Sequence, residues 1–169
     1  MKKGTRVSFA PIVYPGAKIL VLGSMPGERS LQLKQYYGHS MNQFWRVLQE
    51  IFGAGELRDY QNKKALLRDH GIAVWDVVKN CYRRGSSDLS IRKAKANDIS
   101  GFLTKHPGIH HILLNGRTAE RYFVRFFSRP MRLPYDYVPS TSPAHAGLSF
   151  KTKLRLWKQA FTKAGIRHV

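Results

Sequence analysis

Ile19-Leu20-Val21-Leu22, followed at once by Gly23-Ser24-Met25-Pro26-Gly27, reads as a strand running straight into a tight loop. Four consecutive apolar residues suit a strand buried on both faces, as in a parallel sheet covered by helices. The glycines and proline that follow end the strand and mark a turn. A second apolar run, Ile112-Leu113-Leu114, closes on Asn115. Open parallel sheets bind ligands at the carboxyl ends of their strands. A Gly/Pro loop at one strand end and a polar amide at another therefore point to one shared pocket.

The same grammar extends in both directions along the chain. Strands are predicted over Lys18–Gly23, Ile72–Val78, His110–Asn115 and Tyr135–Ser140. Between them, apolar residues recur at helical spacing over Asn42–Phe52, Tyr60–Asp69, Asn97–Lys105 and Thr118–Phe127, and a last helix spans about Lys151–Ala164. This alternation predicts an α/β fold, a three-layer α/β/α sandwich around a four-stranded parallel sheet. With 169 residues and no repeat or linker, one domain over residues 1–169 is expected. Two polar loops, Arg83–Asp88 and Ser140–Gly147, follow strand ends and are expected on the same rim as the Gly23 loop.

Twenty-nine Lys and Arg against ten Asp and Glu leave a net charge of +19, which calls for a polyanionic partner. Charge alone does not separate DNA from RNA or from an anionic membrane surface. The single cysteine, Cys81, excludes an intramolecular disulfide and a Cys-rich zinc site. The seven histidines show no HExxH or similar spacing. No apolar run approaches a membrane span, and the basic start has no signal-like apolar stretch. A cytoplasmic protein of a prokaryotic cell is the expectation.

Gly23-Ser24-Met25-Pro26-Gly27, with Tyr36-Tyr37-Gly38-His39-Ser40-Met41-Asn42-Gln43-Phe44-Trp45, resembles the uracil-DNA glycosylase superfamily. The nearest likeness is to its hypoxanthine-DNA glycosylase branch, related to the mismatch-specific uracil/thymine enzymes. Gly71–Val78, Leu113-Leu114-Asn115-Gly116 and Pro139–Ala144 fall where that superfamily has further conserved segments. The resemblance implies a monofunctional DNA glycosylase, metal-free and without a cofactor; a monomer is the expectation, with oligomeric state left open. Such an enzyme flips a deaminated base from duplex DNA and hydrolyses its N-glycosidic bond. An abasic site remains for base-excision repair. Hypoxanthine is the first substrate it implies, and mismatched uracil the second.

Cleaving that bond places positive charge on the sugar and negative charge on the base, so donors must face the base and a water must be held near C1′. The loop Gly23, Ser24, Met25, Pro26 and Gly27 reads either as an ordinary strand-to-helix turn or as backbone donors for the leaving base. By resemblance, Asn115 reads the base edge and Tyr37 stacks on it, while Tyr36 belongs to the core. Many relatives carry a water-activating Asn or Asp where this chain has Met25, whose thioether cannot orient water. Asn42 is the expected substitute, with a plain helix cap as its other reading. Trp75 and Asp76 end the second strand and join the base-facing set. Asp76 reads as an acceptor for base or water, or as an ion-pair partner of Arg83 or Arg84.

Ser140, Thr141 and Ser142 are expected to grip phosphates, and Leu148 to wedge into the vacated stack. Ser140 stands where some relatives have His, and His145 where close relatives more often have Asn. His145 is therefore open between base, phosphate and neither. Lys151 and Lys153, with Arg155 and Lys158, are expected along the DNA backbone. Two rival functions stay in view: a non-catalytic nucleic-acid-binding domain, and a hydrolase acting on RNA or nucleosides.

Overall fold

Whether an apolar run becomes one strand or two depends on what its backbone can pair with, and this decides the architecture. The computed structural model describes residues 4–127 and 133–169. In chain order it contains β1 (Thr5–Val7), β2 (Ile19–Gly23), α1 (Glu28–Leu33), α2 (Phe44–Phe52), α3 (Tyr60–Asp69), β3 (Ile72–Asp76) and β4 (Val78–Tyr82). A 3-10 turn (Asp88–Ser90) follows, then β5 (Arg92–Ala96), α4 (Ile99–Lys105), β6 (His111–Asn115), α5 (Arg117–Phe126), β7 (Tyr135–Val138) and α6 (Phe150–Lys163). No helix among the described residues is long and apolar enough to cross a membrane.

The expected four-stranded parallel sheet is present, in the order β3-β2-β6-β7. Successive residues of a strand point to opposite faces. Along β2, Ile19 and Val21 therefore join a core with Phe44, Leu48, Trp157 and Phe161, on the side of α2, α3 and α6. Leu20 and Leu22 point the other way, into a second core with Phe102, Ala119 and Phe123 of α4 and α5. Both faces are covered, which is why β2 carries no polar alternation.

The sequence reading missed a second sheet, antiparallel and ordered β1-β4-β5. The predicted strand over residues 72–78 stops at Asp76. Beyond it, Val77 N–H donates to Gly23 O (2.8 Å) and Val78 N–H to Ser24 O (3.1 Å), and the chain enters β4. The apolar run conceals the break because residues 77 and 78 remain buried in the new sheet. β5 escaped notice because Arg92, Lys93 and Lys95 are exposed, and lysines suit an edge strand that must not recruit another chain. Asn97 ties the two sheets, its Nδ2 donating to Asp76 O (2.8 Å) and Ser8 Oγ (3.1 Å).

Candidate active site

A trans peptide is planar, with its C=O and N–H pointing in opposite directions. Three carbonyls of the Gly23–Gly27 loop are held by the chain that leaves β3: Gly23 O by Val77 N–H, Ser24 O by Val78 N–H, and Pro26 O by the Arg83 guanidinium. Their partner N–H groups, those of Ser24, Met25 and Gly27, are thereby turned away from that segment. None of the three finds a backbone acceptor among the described residues. The arrangement is a row of donors of the kind that accepts a developing anion. The Met25 side chain itself is buried in the second core, so its contribution to the site is a backbone N–H.

The clamp behind this loop is ionic. Arg83 is fully buried, and its Nη1 lies 3.7 Å from Asp88 Oδ1. Asp88 Oδ2 accepts from Ser24 Oγ at 2.6 Å. Ser86 Oγ accepts from Glu28 N–H at 2.9 Å. The Arg83–Asp88 loop thus reaches the Gly23 loop, bracing it through buried Arg83, half-buried Asp88 and exposed Ser86.

Glycine at position 23 is required by close approach, since a Cβ there would lie 2.7 Å from Asp76 Oδ1 and 3.3 Å from Tyr37 Oη. Both groups are buried, and neither Asp76 Oδ2 nor Tyr37 Oη has a hydrogen-bond partner. A buried polar atom left unpaired costs about 1–3 kcal/mol, so two of them side by side mark where a ligand's polar edge gains most. Burial, reinforced by the Asp88 charge and opposed by Arg83, pushes the Asp76 carboxyl up to about 8. Near neutrality it is chiefly a neutral acid, able both to donate and to accept. Burial likewise pushes the Tyr37 phenol up and keeps it protonated; the Asn115 side chain is near enough to oppose this slightly. Tyr37 also has φ +54°, uncommon for a bulky residue, and its ring stacks on Phe44 at 3.9 Å. Only its other face can receive a base.

Asn115 is buried and pinned by two bonds, Nδ2 to Thr141 Oγ1 (3.0 Å) and Thr141 N–H to Oδ1 (3.1 Å). The backbone N–H of Thr141 can only donate, so the amide cannot flip, and its remaining donor and acceptor have fixed polarity. The expectation that Thr141 grips phosphate is therefore corrected. Thr141 is fully buried and serves Asn115 instead.

Other expected residues divide. Asn42 Oδ1 accepts from Phe44 N–H at 3.0 Å, a turn bond just ahead of α2, whose N-cap position is Gln43, and its Nδ2 has no partner among the described residues. Tyr36 is core, as expected, with its hydroxyl on Ala10 O. Trp75 is drawn elsewhere: its indole donates to Phe9 O and its ring packs on Phe102. The anticipated ion pair of Asp76 with Arg83 or Arg84 does not form, because Arg83 is committed to Pro26, Met25 and Asp88. Ser140 and Ser142 are half-buried and used in turns, their hydroxyls accepting from Ser142 and Ala144 N–H. His145 is half-buried, and Leu148 and Lys151 are exposed. Lys153 is not on the DNA-facing surface. It is 2% exposed, its ammonium donating to His145 O (2.7 Å) and Gln43 Oε1 (3.1 Å), and burial lowers its pKa. Among the described residues no three His, Cys, Asp or Glu side chains gather closely enough to hold a metal ion.

Comparison with known proteins gives the family. The family model described as the Uracil DNA glycosylase superfamily matches residues 11–164. The chain belongs to that superfamily. It is 33% identical over 156 residues to a protein of Methanosarcina barkeri named hypoxanthine DNA glycosylase, covering 92% of this chain and 97% of that one. A protein of the same name from Methanosarcina acetivorans is 34% identical over 155 residues, covering 90% and 96%. The fold matches the solution NMR structure of a candidate uracil DNA glycosylase from M. acetivorans, with TM-score 0.80 and 30% identity over 96% of this chain and 99% of that one.

In this DNA glycosylase of the superfamily, three residues named in the sequence take partners that the sequence did not foretell. Arg83 and Asp88 set the direction of the donor loop, and Thr141 sets the polarity of Asn115. One signal was available for the first pair. In a chain with so few acids, Asp88 stands alone among six basic residues between Val77 and Asn97. A solitary acid in such a segment has a partner to find.

Proposed function

We propose that the protein is a monofunctional glycosylase that removes a deaminated base, hypoxanthine foremost, from duplex DNA and leaves an abasic site. The observation that carries this reading is the pair of buried side chains that face Gly23 through Asp76 Oδ1 and Tyr37 Oη, each with an unpartnered oxygen, Asp76 Oδ2 and Tyr37 Oη. Deamination turns the amino-bearing edge of a base into a lactam, an N–H next to a C=O. A neutral carboxyl and a phenol present the matching acceptor and donors to N1–H and O6 of hypoxanthine, or to N3–H and O4 of uracil. Asn115, held against flipping, adds a contact whose polarity cannot adapt to the unmodified base. The names of the two relatives at 33% and 34% identity favour hypoxanthine over uracil.

In this reading the extruded base stacks on the free face of Tyr37. As the bond to C1′ lengthens, the N–H groups of Ser24, Met25 and Gly27 receive the negative charge growing on the base. Asn42 directs water to C1′ through its remaining amide group. An amide orients water without deprotonating it, which suffices when the sugar already carries the positive charge of a dissociative transition state. Exposed Lys151 and Arg155, with half-buried Lys158, line an open groove of about 530 Å³ along α6, which suits the phosphate backbone.

Single-turnover cleavage of labelled duplexes bearing hypoxanthine, uracil or xanthine tests the reading, with Asn42→Ala alongside. Alkali-sensitive product from hypoxanthine, reduced about a hundredfold in the variant, is expected. Equal product in the variant removes Asn42 from the mechanism. Binding without product from any duplex favours a non-catalytic DNA-binding domain.

A further inference from the structure

Leu89 is 80% exposed, the most exposed large apolar side chain among the described residues. Single exposed leucines are common on protein surfaces. What distinguishes this one is how firmly it is held out. It sits in the 3-10 turn Asp88–Ser90. On one side, Asp88 is locked to Ser24 Oγ and faces Arg83. On the other, Ile91 is buried in the core that also holds Met25. Ser90 Oγ donates to Arg84 O and Ser87 O and accepts from Arg84 N–H, while Arg92 Nη1 donates to Leu89 O. The turn is therefore a rigid mount, one hydrogen bond away from the donor loop.

Its surroundings select a partner. Between Val77 and Asn97 there are six Lys or Arg and one acid, and that acid, Asp88, is turned inward. An apolar tip ringed by exposed Arg84, Arg92 and Lys93 complements a polyanion that can also open an apolar gap. Duplex DNA does so at a base step.

The position is as telling. The turn belongs to the α5 side of the parallel sheet, where Asp88 is further steadied by Thr118 and Arg121. The loop bearing Leu148 is tied to the opposite side, through Thr141 O to Gln43 N–H, Pro139 O to Trp157 Nε1 and His145 O to Lys153 Nζ. Leu89 and Leu148 therefore sit on loops tied to opposite faces of the sheet. We propose that Leu89 is a second apolar probe for duplex DNA, packing into the base step beside the extruded nucleotide from the side opposite Leu148. This rests on the glycosylase reading above for the identity of that nucleotide, and on the rigid turn for the contact itself.

The test uses two duplexes, one with hypoxanthine and one with an uncleavable tetrahydrofuran abasic analogue, each with 2-aminopurine beside the lesion. Wild type is expected to bind both and raise 2-aminopurine fluorescence as the step unstacks. Leu89→Ala is expected to bind both duplexes about tenfold more weakly, the size of the effect when one leucine stays exposed. It should abolish most of the fluorescence rise while keeping wild-type affinity for single-stranded oligonucleotide and an unchanged Tm. Leu89→Met, which keeps an apolar tip, should restore both signals. Equal duplex affinity and fluorescence in Leu89→Ala, or equal weakening on single strands, overturns the proposal. The glycosylase reading fails separately: no hypoxanthine release by wild type, with Leu89→Ala still weakening duplex binding, removes the reaction and keeps the probe.

Discussion

Asp76 is where pH acts on this protein most directly. Its carboxyl titrates at about 8 in the fold against 3.8 for the free group, chiefly because it is buried. Between those values the folded protein holds a proton that the unfolded chain has released, so this group's contribution to stability falls as pH rises across the window. Asp76→Asn removes the dependence. Calorimetry should show wild-type Tm falling relative to the variant between about pH 5 and about pH 9, and parallel curves would remove Asp76 as the cause. The same substitution separates roles in recognition. An amide keeps a donor and an acceptor at every pH, whereas an ionised carboxylate keeps only acceptors. Hypoxanthine release by wild type is therefore expected to decline above about pH 8, with a flatter profile in Asp76→Asn. Asp76→Ala should lose about a hundredfold at any pH, as when a positioned polar contact to the reacting group is deleted.

At the scale of elements, the segment from β3 through β4 to the 3-10 turn does more than connect strands. It turns three peptide planes of the donor loop, two through Val77 and Val78 N–H and one through Arg83. Removing Arg83 would release the Pro26 and Met25 carbonyls and leave Asp88 without its cation. Arg83→Met is expected to destabilise the fold by about 3 kcal/mol, read by denaturant unfolding, because a buried charge loses its partner. A variant as stable as wild type would mean that Ser24, Thr118 and Arg121 suffice to hold Asp88, and Val77 and Val78 the loop. α2 shows a similar economy of parts. Its start is fixed by the turn bond from Phe44 N–H to Asn42 and by Gln43, whose N–H bonds Thr141 O and whose side chain accepts from Lys153. The helix that carries the expected water-positioning residue is thus coupled to the loop that pins Asn115.

For the whole molecule, the charge of +19 governs encounter with DNA, but not every lysine takes part. Lys151 is exposed on the α6 groove, while Lys153 is buried two residues away. Removing a side chain that neutralises one phosphate should shallow the slope of log affinity against log salt by about 0.9. Lys151→Ala is expected to do so. Lys153→Met is expected to leave the slope alone and to cost about 1–3 kcal/mol in stability by stranding His145 O and Gln43 Oε1. A changed slope in Lys153→Met would return that residue to the DNA surface.

The parallel sheet was legible in the sequence because burial on both faces writes an uninterrupted apolar run, as in Ile19–Leu22 and Ile112–Leu114. The helices α2 to α6 were legible from their spacing, α1 (Glu28–Leu33) was not, and the Gly23–Gly27 loop and Asn115 stood out by their place at strand ends. These are local consequences of backbone geometry and hydrophobic burial. The antiparallel sheet was not legible, since β5 shows solvent a row of cations and β4 begins on Val78, directly after the mostly apolar stretch of β3. Nor were the partners of the polar groups. Arg83 meets Pro26 across 57 residues, and Lys153 meets Gln43 across 110. Which basic side chain is buried, and which acid is left unpaired against Gly23, depends on groups brought together only when both sheets have packed. Sequence alone determined the scaffold and the edge that carries the site. Tertiary structure decided the direction of each hydrogen bond at that edge, because a hydrogen bond needs a partner in space and leaves no period in the chain.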